Sequence, residues 1–311
     1  TSANSGAIAV TAAAYTVTYN KNGDGAGGAG SVTGTVPTDV TSYTSGERAI
    51  VLEPGDLALS GKTFIGWNDA PNGSGTYYSP KANFAITASK TLYAQWRTAS
   101  SCPGDEGGTV YSLSMGSSVT SSDLSLGKGV AHSLASYSTI TNGSASFTNI
   151  NTSSDGKAKI TKDSPNQLQF NGNDAMLALY LDCPLQNGDV ITFTGGDKEL
   201  CFTATASRAT TIATTSKTLT INSSNHSSLI GKRIIYAWRS PENTFGVTAL
   251  TITRPASTYT DLSVTKDPAA GSATDPTISA TSVTQSSSVT VTAGAAASGY
   301  GFTGWASGNR S

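Results

Sequence analysis

Residues that commonly carry catalysis are sparse in this chain. The 311 residues include two histidines, His132 in GVAHSLAS and His226 in SSNHSS, and neither has the helix-spaced partner of a zinc protease. The G-x-S-x-G turn that presents a nucleophilic serine does not occur. Acidic residues are scattered, and the pair of carboxylates about 5–10 Å apart that a glycosidase needs cannot be identified from sequence. We therefore predict a non-catalytic protein, with a hydrolase fragment as the weakest alternative.

The glycine-rich stretch after the first strand pattern has the spacing of a phosphate loop but not its context. Gly23, Gly25 and Gly28 spell G-x-G-x-x-G. A dinucleotide site requires a helix to follow within a βαβ unit, whereas the next residues are AGSVTGTVP. The same stretch begins like a calcium loop, but Ser31 stands where an EF-hand needs glutamate. Neither a nucleotide nor an EF-hand calcium is predicted.

A second oxygen-rich stretch, FNGNDAM, is the best candidate for a structural calcium ion. It places Asn171, Asn173 and Asp174 close together, and carboxylate and amide oxygens are calcium ligands. The plain alternative is a turn, which asparagine and aspartate also favour. We predict no cofactor and keep this calcium as an open alternative.

The side chains best suited to binding are concentrated in RIIYAWRSPENTF. Sugar rings stack on exposed aromatic faces, so Tyr236 and Trp238 are candidates for a platform, with Arg239 and Asn243 reading hydroxyl groups. On a strand the two aromatic residues share one face, while Arg233 and Arg239 share the other, which we expect to be wet. The aromatic face is therefore either core or, near the strand end, a glycan-binding surface.

Three cysteines allow at most one internal disulfide, since the number is odd. If a bridge forms, the sequence favours Cys183–Cys201, because both lie in the strand-rich centre of the chain. Cys102 lies in TASSCPGDEGG, which has the composition of a linker. Three buried thiols are the alternative, and spacings typical of zinc sites are absent.

Composition narrows the class of protein. Only 13% of residues are charged and the formal net charge is −1, which argues against a nucleic-acid partner. No apolar run approaches the ~20 residues of a membrane helix. Abundant threonine, serine and glycine favour strands and turns. We expect an all-β protein from the outside of a bacterial cell, secreted or on the surface, and a fragment of a longer exported chain with adjoining domains.

The first segment, residues 13–97, carries three pieces in a fixed order: YTVTYNKNGDG, GKTFIGW and KTLYAQW. In this it resembles the Listeria–Bacteroides repeat, also called the internalin-type B repeat, whose pattern is Y-T-V-T-F-N…F-x-G-W…T-L-Y-A-x-W. The resemblance implies a small β-grasp-like module of multi-domain surface proteins. We predict that Phe64, Trp67, Leu92 and Trp96 form its core.

The last segment, residues 258–311, repeats part of this pattern. GYGFTGW matches GKTFIGW, but no T-L-Y-A-x-W piece follows, so this second repeat-like module is predicted to be truncated, with an unpaired sheet edge. Trp305 is expected to lie in its core, as Trp67 does in the first.

The middle segment, residues 100–254, has about nine short apolar runs between turns, as expected for a β-sandwich. LQNGDVITF, LIGKRIIYAWR and ALTITR resemble pieces of the jelly-roll modules attached to polysaccharide-degrading enzymes of Bacteroidetes. That resemblance implies carbohydrate binding. We therefore expect a non-catalytic extracellular polysaccharide-binding fragment of a multi-domain protein. The alternative is a structural or adhesive surface protein with the repeats as spacers and no sugar site.

Overall fold

The structure is a computed structural model that describes residues 13–23, 30–104, 106–117, 120–196, 199–208, 213–215, 217–239, 245–260, 262–265, 274–284 and 287–305. The regular structure of these residues consists of strands, apart from a short 3-10 turn at Leu134–Ser136. The prediction of an all-β protein with a central sandwich is confirmed. The chain divides into two compact units: residues 1–102 with 109–254, and residues 103–108 with 255–311.

The first module of the larger unit has six strands around a mixed sheet. They are β1 Val17–Asn20, β2 Arg48–Ile50, β3 Lys62–Asn68, β4 Tyr77–Tyr78, β5 Asn83–Ala85 and β6 Lys90–Thr98. In the main sheet, ordered β1-β6-β3-β4, strand β6 lies parallel to β1 and antiparallel to β3. Strands β2 and β5 form a separate antiparallel pair. The T-L-Y-A-x-W piece is thus the central strand that joins the other two pieces of the motif.

The core of this module is built around Trp67, which is completely buried. Its ring lies 4.7 Å from that of Tyr19 and 5.2 Å from that of Phe64, both edge-on, and its indole nitrogen donates to the Leu52 carbonyl at 3.0 Å. Leu92 is also buried, as predicted. Trp96 differs, because it is only half-buried against this core; its indole nitrogen donates to the Lys21 carbonyl at 2.8 Å.

The central segment forms two sheets. Its strands are β7 Gly108–Met115, β8 Leu124–Ser125, β9 Ala131–Ser133, β10 Ser138–Thr141, β11 Gly143–Asn149, β12 Ala158–Ile160, β13 Leu168–Phe170, β14 Ala175–Leu181, β15 Val190–Gly195, β16 Leu200–Thr203, β17 Ala213–Thr215, β18 Thr218–Thr220, β19 Ile234–Arg239 and β20 Phe245–Arg254. One sheet runs β10-β7-β20-β13-β12-β8, with β15 pairing β20 and β18; the other runs β17-β16-β19-β14-β11-β9.

Strand β14 shows that the second sheet is buried on both faces. Every residue of AMLALYL is buried, the pattern of a strand covered on both sides. Leu177 and Leu179 point into the sandwich core, together with Ile235 and Ala237 of β19. The alternate residues, including Tyr180, point to the opposite face, where a second cluster begins.

The repeat module covers that opposite face. Met176, Tyr180, Tyr236 and Trp238 of the sandwich belong to the same buried cluster as the module core. The Phe64 ring of the module lies 6.1 Å from the Tyr180 ring. The segments predicted as separate domains, 13–97 and 100–254, therefore form one compact unit with continuous apolar packing between them.

A buried carboxylate links the two parts at the end of β14. Asp182 is fully buried and accepts hydrogen bonds from the Thr63 hydroxyl (2.9 Å), the Ser100 backbone N–H (2.8 Å) and the Arg97 guanidinium. Burial acts to raise the pKa of Asp182, but these hydrogen bonds outweigh it and hold the pKa below its ordinary value of 3.8. The carboxylate therefore stays charged and joins the module to the sandwich.

Replacing Asp182 by alanine should lower the free energy of unfolding by about 2–3 kcal/mol at neutral pH, since three donors lose their acceptor. Because the pKa is lower in the folded state, the stabilisation is present above the ordinary pKa and is lost as the pH falls through the folded value. Urea unfolding of the wild type and the variant at a series of pH values should therefore show that their difference in free energy of unfolding shrinks as the pH falls below the ordinary pKa of 3.8. A difference that stays constant down to about pH 2 would contradict this role.

The disulfide joins Cys102 to Cys183, with their Cα atoms 5.4 Å apart. The predicted Cys183–Cys201 bridge is therefore wrong. Cys102 follows β6 by four residues, and the contacts of Arg97 and Ser100 with Asp182 bring this linker beside Cys183. Cys201 instead points to the opposite face of the second sheet, where it is buried beneath the repeat module.

Changing both Cys102 and Cys183 to serine is expected to cost about 2–4 kcal/mol of stability, because the bridge constrains a long stretch of unfolded chain. The two cysteines are 81 residues apart. Thermal unfolding with and without reductant measures this: the reductant should lower the Tm of the wild type but not of the double variant. Peptide mapping that finds Cys183 linked to Cys201 would overturn the assignment.

The smaller unit contains two short antiparallel pairs. Strand β21 Thr258–Tyr259 pairs with β23 Val283–Thr284, and β22 Thr277–Ile278 pairs with β24 Val291–Thr292. Trp305 was expected in a core, but its side chain is 49% exposed, so that prediction is wrong. Within the described residues of this unit, no strand covers it.

Candidate functional site

The aromatic pair predicted to bind sugar lies in β19, on the face that the repeat module covers. Tyr236 and Trp238 are each 1% exposed. The Trp238 indole nitrogen donates to the Thr203 hydroxyl at 2.8 Å, so its polar atom is satisfied inside the protein. Burial, followed by the nearby Glu53 carboxylate, raises the pKa of Tyr236 well above its ordinary value. Both residues are core, and the alternative of an exposed platform is not what the structure shows.

The other two predicted residues do not complete a platform. Arg239 ends β19, is half-buried and points a guanidinium nitrogen toward the Asn173 side chain at 3.5 Å. Asn243 lies outside the described residues. The expectation of a wet face between Arg233 and Arg239 is also wrong, because the residues between them on that face, Ile235 and Ala237, are fully buried in the sandwich.

An open groove on the repeat module offers a different arrangement of binding groups. It encloses about 520 Å³ between β4, β5 and β6. Its lining includes Asp69, Tyr78, Phe84, Lys90, Thr91 and Tyr93. The sequence analysis missed this site because its residues come from four separate places. The signal that was available is a charged residue beside aromatic ones at the start of KTLYAQW.

A charged pair, Asp69 and Lys90, lines the groove. The Lys90 ammonium donates to the Asp69 carboxylate at 2.7 Å and lies 5.6 Å from the Tyr78 ring centroid and 5.7 Å from that of Phe84. Burial acts to raise the pKa of Asp69, but hydrogen bonds from Lys90, the Thr76 backbone and Tyr78 outweigh it and lower the pKa. The groove therefore presents a fixed carboxylate, an ammonium group and aromatic carbon to solvent.

The remaining candidates for chemistry are held in structural hydrogen bonds. Asp174 accepts from the Asn151 side chain at 2.6 Å, and the Asn171 amide donates to the Gly156 carbonyl at 3.1 Å. In the part of the chain that the structure describes, no group of three or more histidine, cysteine, aspartate or glutamate residues could hold a metal ion. His132 is partly buried, and that burial lowers its pKa.

Comparison with known proteins defines the class of the first module. Residues 15–95 match the family model of the Listeria–Bacteroides repeat domain, which confirms that part of the predicted resemblance. A stretch of 68 residues is 40% identical to part of a protein of Evansella cellulosilytica that is named as a Gly-rich membrane protein.

That similarity covers 20% of this chain and only 8% of the relative. No solved structure is significantly similar to the chain. Among the described residues, no helix has the length and apolar character needed to cross a bilayer.

Proposed function

We propose that this chain is a non-catalytic, structural or adhesive part of a bacterial cell-surface protein. The observation that carries the proposal is the shared apolar cluster in which the Listeria–Bacteroides repeat covers Tyr236 and Trp238 of the sandwich. A repeat that acts as a flexible spacer would leave that sheet face open. Here the repeat and the sandwich form one block, which suits a part that bears load or presents a surface.

Several features of the interface support this block. Besides the aromatic packing, the Glu53 carboxylate accepts from the Ala206 backbone N–H at 2.7 Å. The Arg48 guanidinium donates to the Lys128 carbonyl at 2.6 Å. The disulfide and the Asp182 contacts hold the linker that runs from the repeat module to the sandwich.

The chemistry of the disulfide and the presence of the repeat support an extracellular location. Disulfides form and persist in oxidising compartments outside the bacterial cytosol. The repeat family resembles modules of surface proteins, and the relative from Evansella cellulosilytica carries a name that places it at a membrane. Both observations support a protein exported from the cell.

Limited proteolysis of the full chain under oxidising conditions tests the block. If the repeat and the sandwich are one structural unit, residues 98–100, which Asp182 holds through Ser100, should resist cleavage, and the two should unfold in a single urea transition. Early cleavage there into two stable fragments, each unfolding separately, would show that the repeat is an independent spacer. Protease shaving of intact cells of the source organism, followed by peptide identification, tests the surface location.

Polysaccharide binding is the second candidate, and the groove at Asp69 and Lys90 is the observation that favours it. Glycan sites combine aromatic surface with polar groups that hydrogen-bond hydroxyls, and the groove has aromatic rings beside the charged groups of Asp69 and Lys90. In this candidate function the sugar would bind on the exposed side of the repeat module and not at β19.

Affinity electrophoresis of the full chain through gels containing cellulose, xylan, mannan, pectin or chitin tests this candidate. Retardation that Asp69→Ala abolishes, while the exposed control Val40→Ala (wild-type exposure 91%) keeps it, would support a glycan site in the groove. Unretarded migration through every gel would exclude this glycan site, and the structural function would then be the remaining candidate.

A further inference from the structure

The first and last strands of the repeat module lie side by side and run in the same direction. Strand β1 pairs with β6 in parallel, from Val17 opposite Lys90 to Asn20 opposite Tyr93. Tension that pulls the start of β1 away from the end of β6 therefore slides one strand along the other. In this geometry the hydrogen bonds between the strands, which run across the direction of the pull, are strained together and not one after another.

Further hydrogen bonds strengthen this pair at its start and in its middle. The Thr16 backbone N–H donates to the Ser89 hydroxyl at 3.1 Å, and the Thr16 carbonyl accepts from the Lys90 backbone N–H at 2.9 Å. The Thr18 and Thr91 hydroxyls are 2.9 Å apart and hydrogen-bonded. All of these bonds join the β1 segment to β6 or to the residue before it, so they resist the same sliding movement.

Two side chains continue the attachment past the end of β1. The Trp96 indole nitrogen donates to the Lys21 carbonyl at 2.8 Å, and the Asn22 amide donates to the Ala94 carbonyl at 2.7 Å. Asn22 is only 1% exposed, so its hydrogen bond is shielded from water. Breaking a buried hydrogen bond leaves desolvated groups unpaired, which costs more than losing an exposed one. The β1 segment is thus attached to β6 over residues 16–22.

The far end of β6 is anchored in the sandwich. Asp182 accepts from the Ser100 backbone N–H at 2.8 Å and from the Arg97 guanidinium. Two residues beyond Ser100, the disulfide joins Cys102 to Cys183. Tension that reaches the end of β6 therefore passes covalently to the residue after Asp182. It does not pass through residues 103–182, which the bridge closes into a loop.

The chain leaves the sandwich from the same place. Strand β20 ends at Arg254, whose Nε donates to one Asp189 oxygen at 2.9 Å; a terminal nitrogen donates to the other at 3.0 Å and to the Pro184 carbonyl at 3.1 Å. Arg254 is 8% exposed and Asp189 is fully buried, so this bidentate ion pair is shielded from water. The entry and the exit of the larger unit are therefore both attached to residues 182–189.

We propose that tension along the chain is carried by the parallel pair of β1 and β6 and by residues 182–189, and that the disulfide keeps residues 103–182 from being extended. The strand pair acts as a clamp because its bonds must break together. The bridge and Arg254 lead the tension past most of the sandwich. This deepens the proposed structural function and rests on it, since a surface protein that holds a partner is pulled along its chain.

Single-molecule force spectroscopy of the full chain under oxidising conditions tests the clamp. One handle is attached to the C-terminus, and the other either to the N-terminus or to an azide-bearing amino acid in place of Lys21, directly after β1. Pulling from the N-terminus slides β1 along β6, whereas pulling from position 21 peels β1 away from its end.

The event that unfolds the repeat is identified by its release of about 25–30 nm of chain. We expect its rupture force to be at least about twofold higher from the N-terminus than from position 21, because forced unfolding follows the unfolding rate along the pulled direction. The azide variant pulled from its N-terminus is the control, and it should match the wild type.

The length of chain released tests the role of the disulfide. Cys102 and Cys183 are 81 residues apart, so a reductant should lengthen the total extension of the larger unit by about 25–30 nm. The double variant Cys102→Ser, Cys183→Ser should show the longer extension without reductant.

Two results would overturn the proposal. Equal rupture forces from the N-terminus and from position 21 would mean that β1 and β6 do not act as a clamp. An extension that the reductant leaves unchanged would mean that the bridge does not shield residues 103–182. The proposed surface function is tested separately by protease shaving and limited proteolysis. If those tests fail while the two rupture forces differ, the clamp stands and the surface function is wrong.

Discussion

Replacing Trp238 by alanine is expected to lower the free energy of unfolding of the larger unit by about 3–5 kcal/mol, the usual cost of removing a buried tryptophan. The ring is fully enclosed between the second sheet of the sandwich and the repeat module. Its loss leaves a cavity at the contact between them, so the module should loosen together with the sandwich.

The variant Thr203→Val separates packing from hydrogen bonding. It keeps the Trp238 ring but removes the hydroxyl that accepts from its indole nitrogen at 2.8 Å. The cost of losing that acceptor should be smaller, about 1–3 kcal/mol. Both costs are measured by urea unfolding, with hydrogen exchange reporting whether residues 15–95 lose protection. A Trp238→Ala protein with unchanged stability that no longer binds a glycan would restore the exposed-platform hypothesis.

The sequence predicts the strands well but not which of their faces are covered. Alternating residues place Tyr236 and Trp238 on one face of β19 and Ile235 and Ala237 on the other, as the structure has them. A period of two does not reveal that both faces are buried, because the second cover comes from a different part of the chain. The fully apolar run of β14 carries that signal, since a half-exposed strand would alternate.

The errors at Cys102 and Trp305 have the same origin. Cys102 has linker-like neighbours, yet β6 brings the linker to Asp182 and so to Cys183. Trp305 repeats the local sequence of Trp67, but the burial of Trp67 depends on elements distant in sequence, among them β6, which pairs with its strand. Local patterns determine the shape of a segment, whereas burial depends on long-range partners that one sequence does not identify.

The two copies of the F-x-G-W motif allow a matched measurement of how much burial of the tryptophan contributes to the free energy of unfolding. Trp67→Ala should destabilise the larger unit by about 3–5 kcal/mol, because it removes a completely buried ring and leaves a cavity.

Trp305→Ala makes the same chemical change where the ring is 49% exposed, and it should shift stability by no more than about 0.5 kcal/mol. Urea unfolding of the two variants against the wild type gives both values. Equal effects would mean that Trp305 is covered in solution or that Trp67 is not.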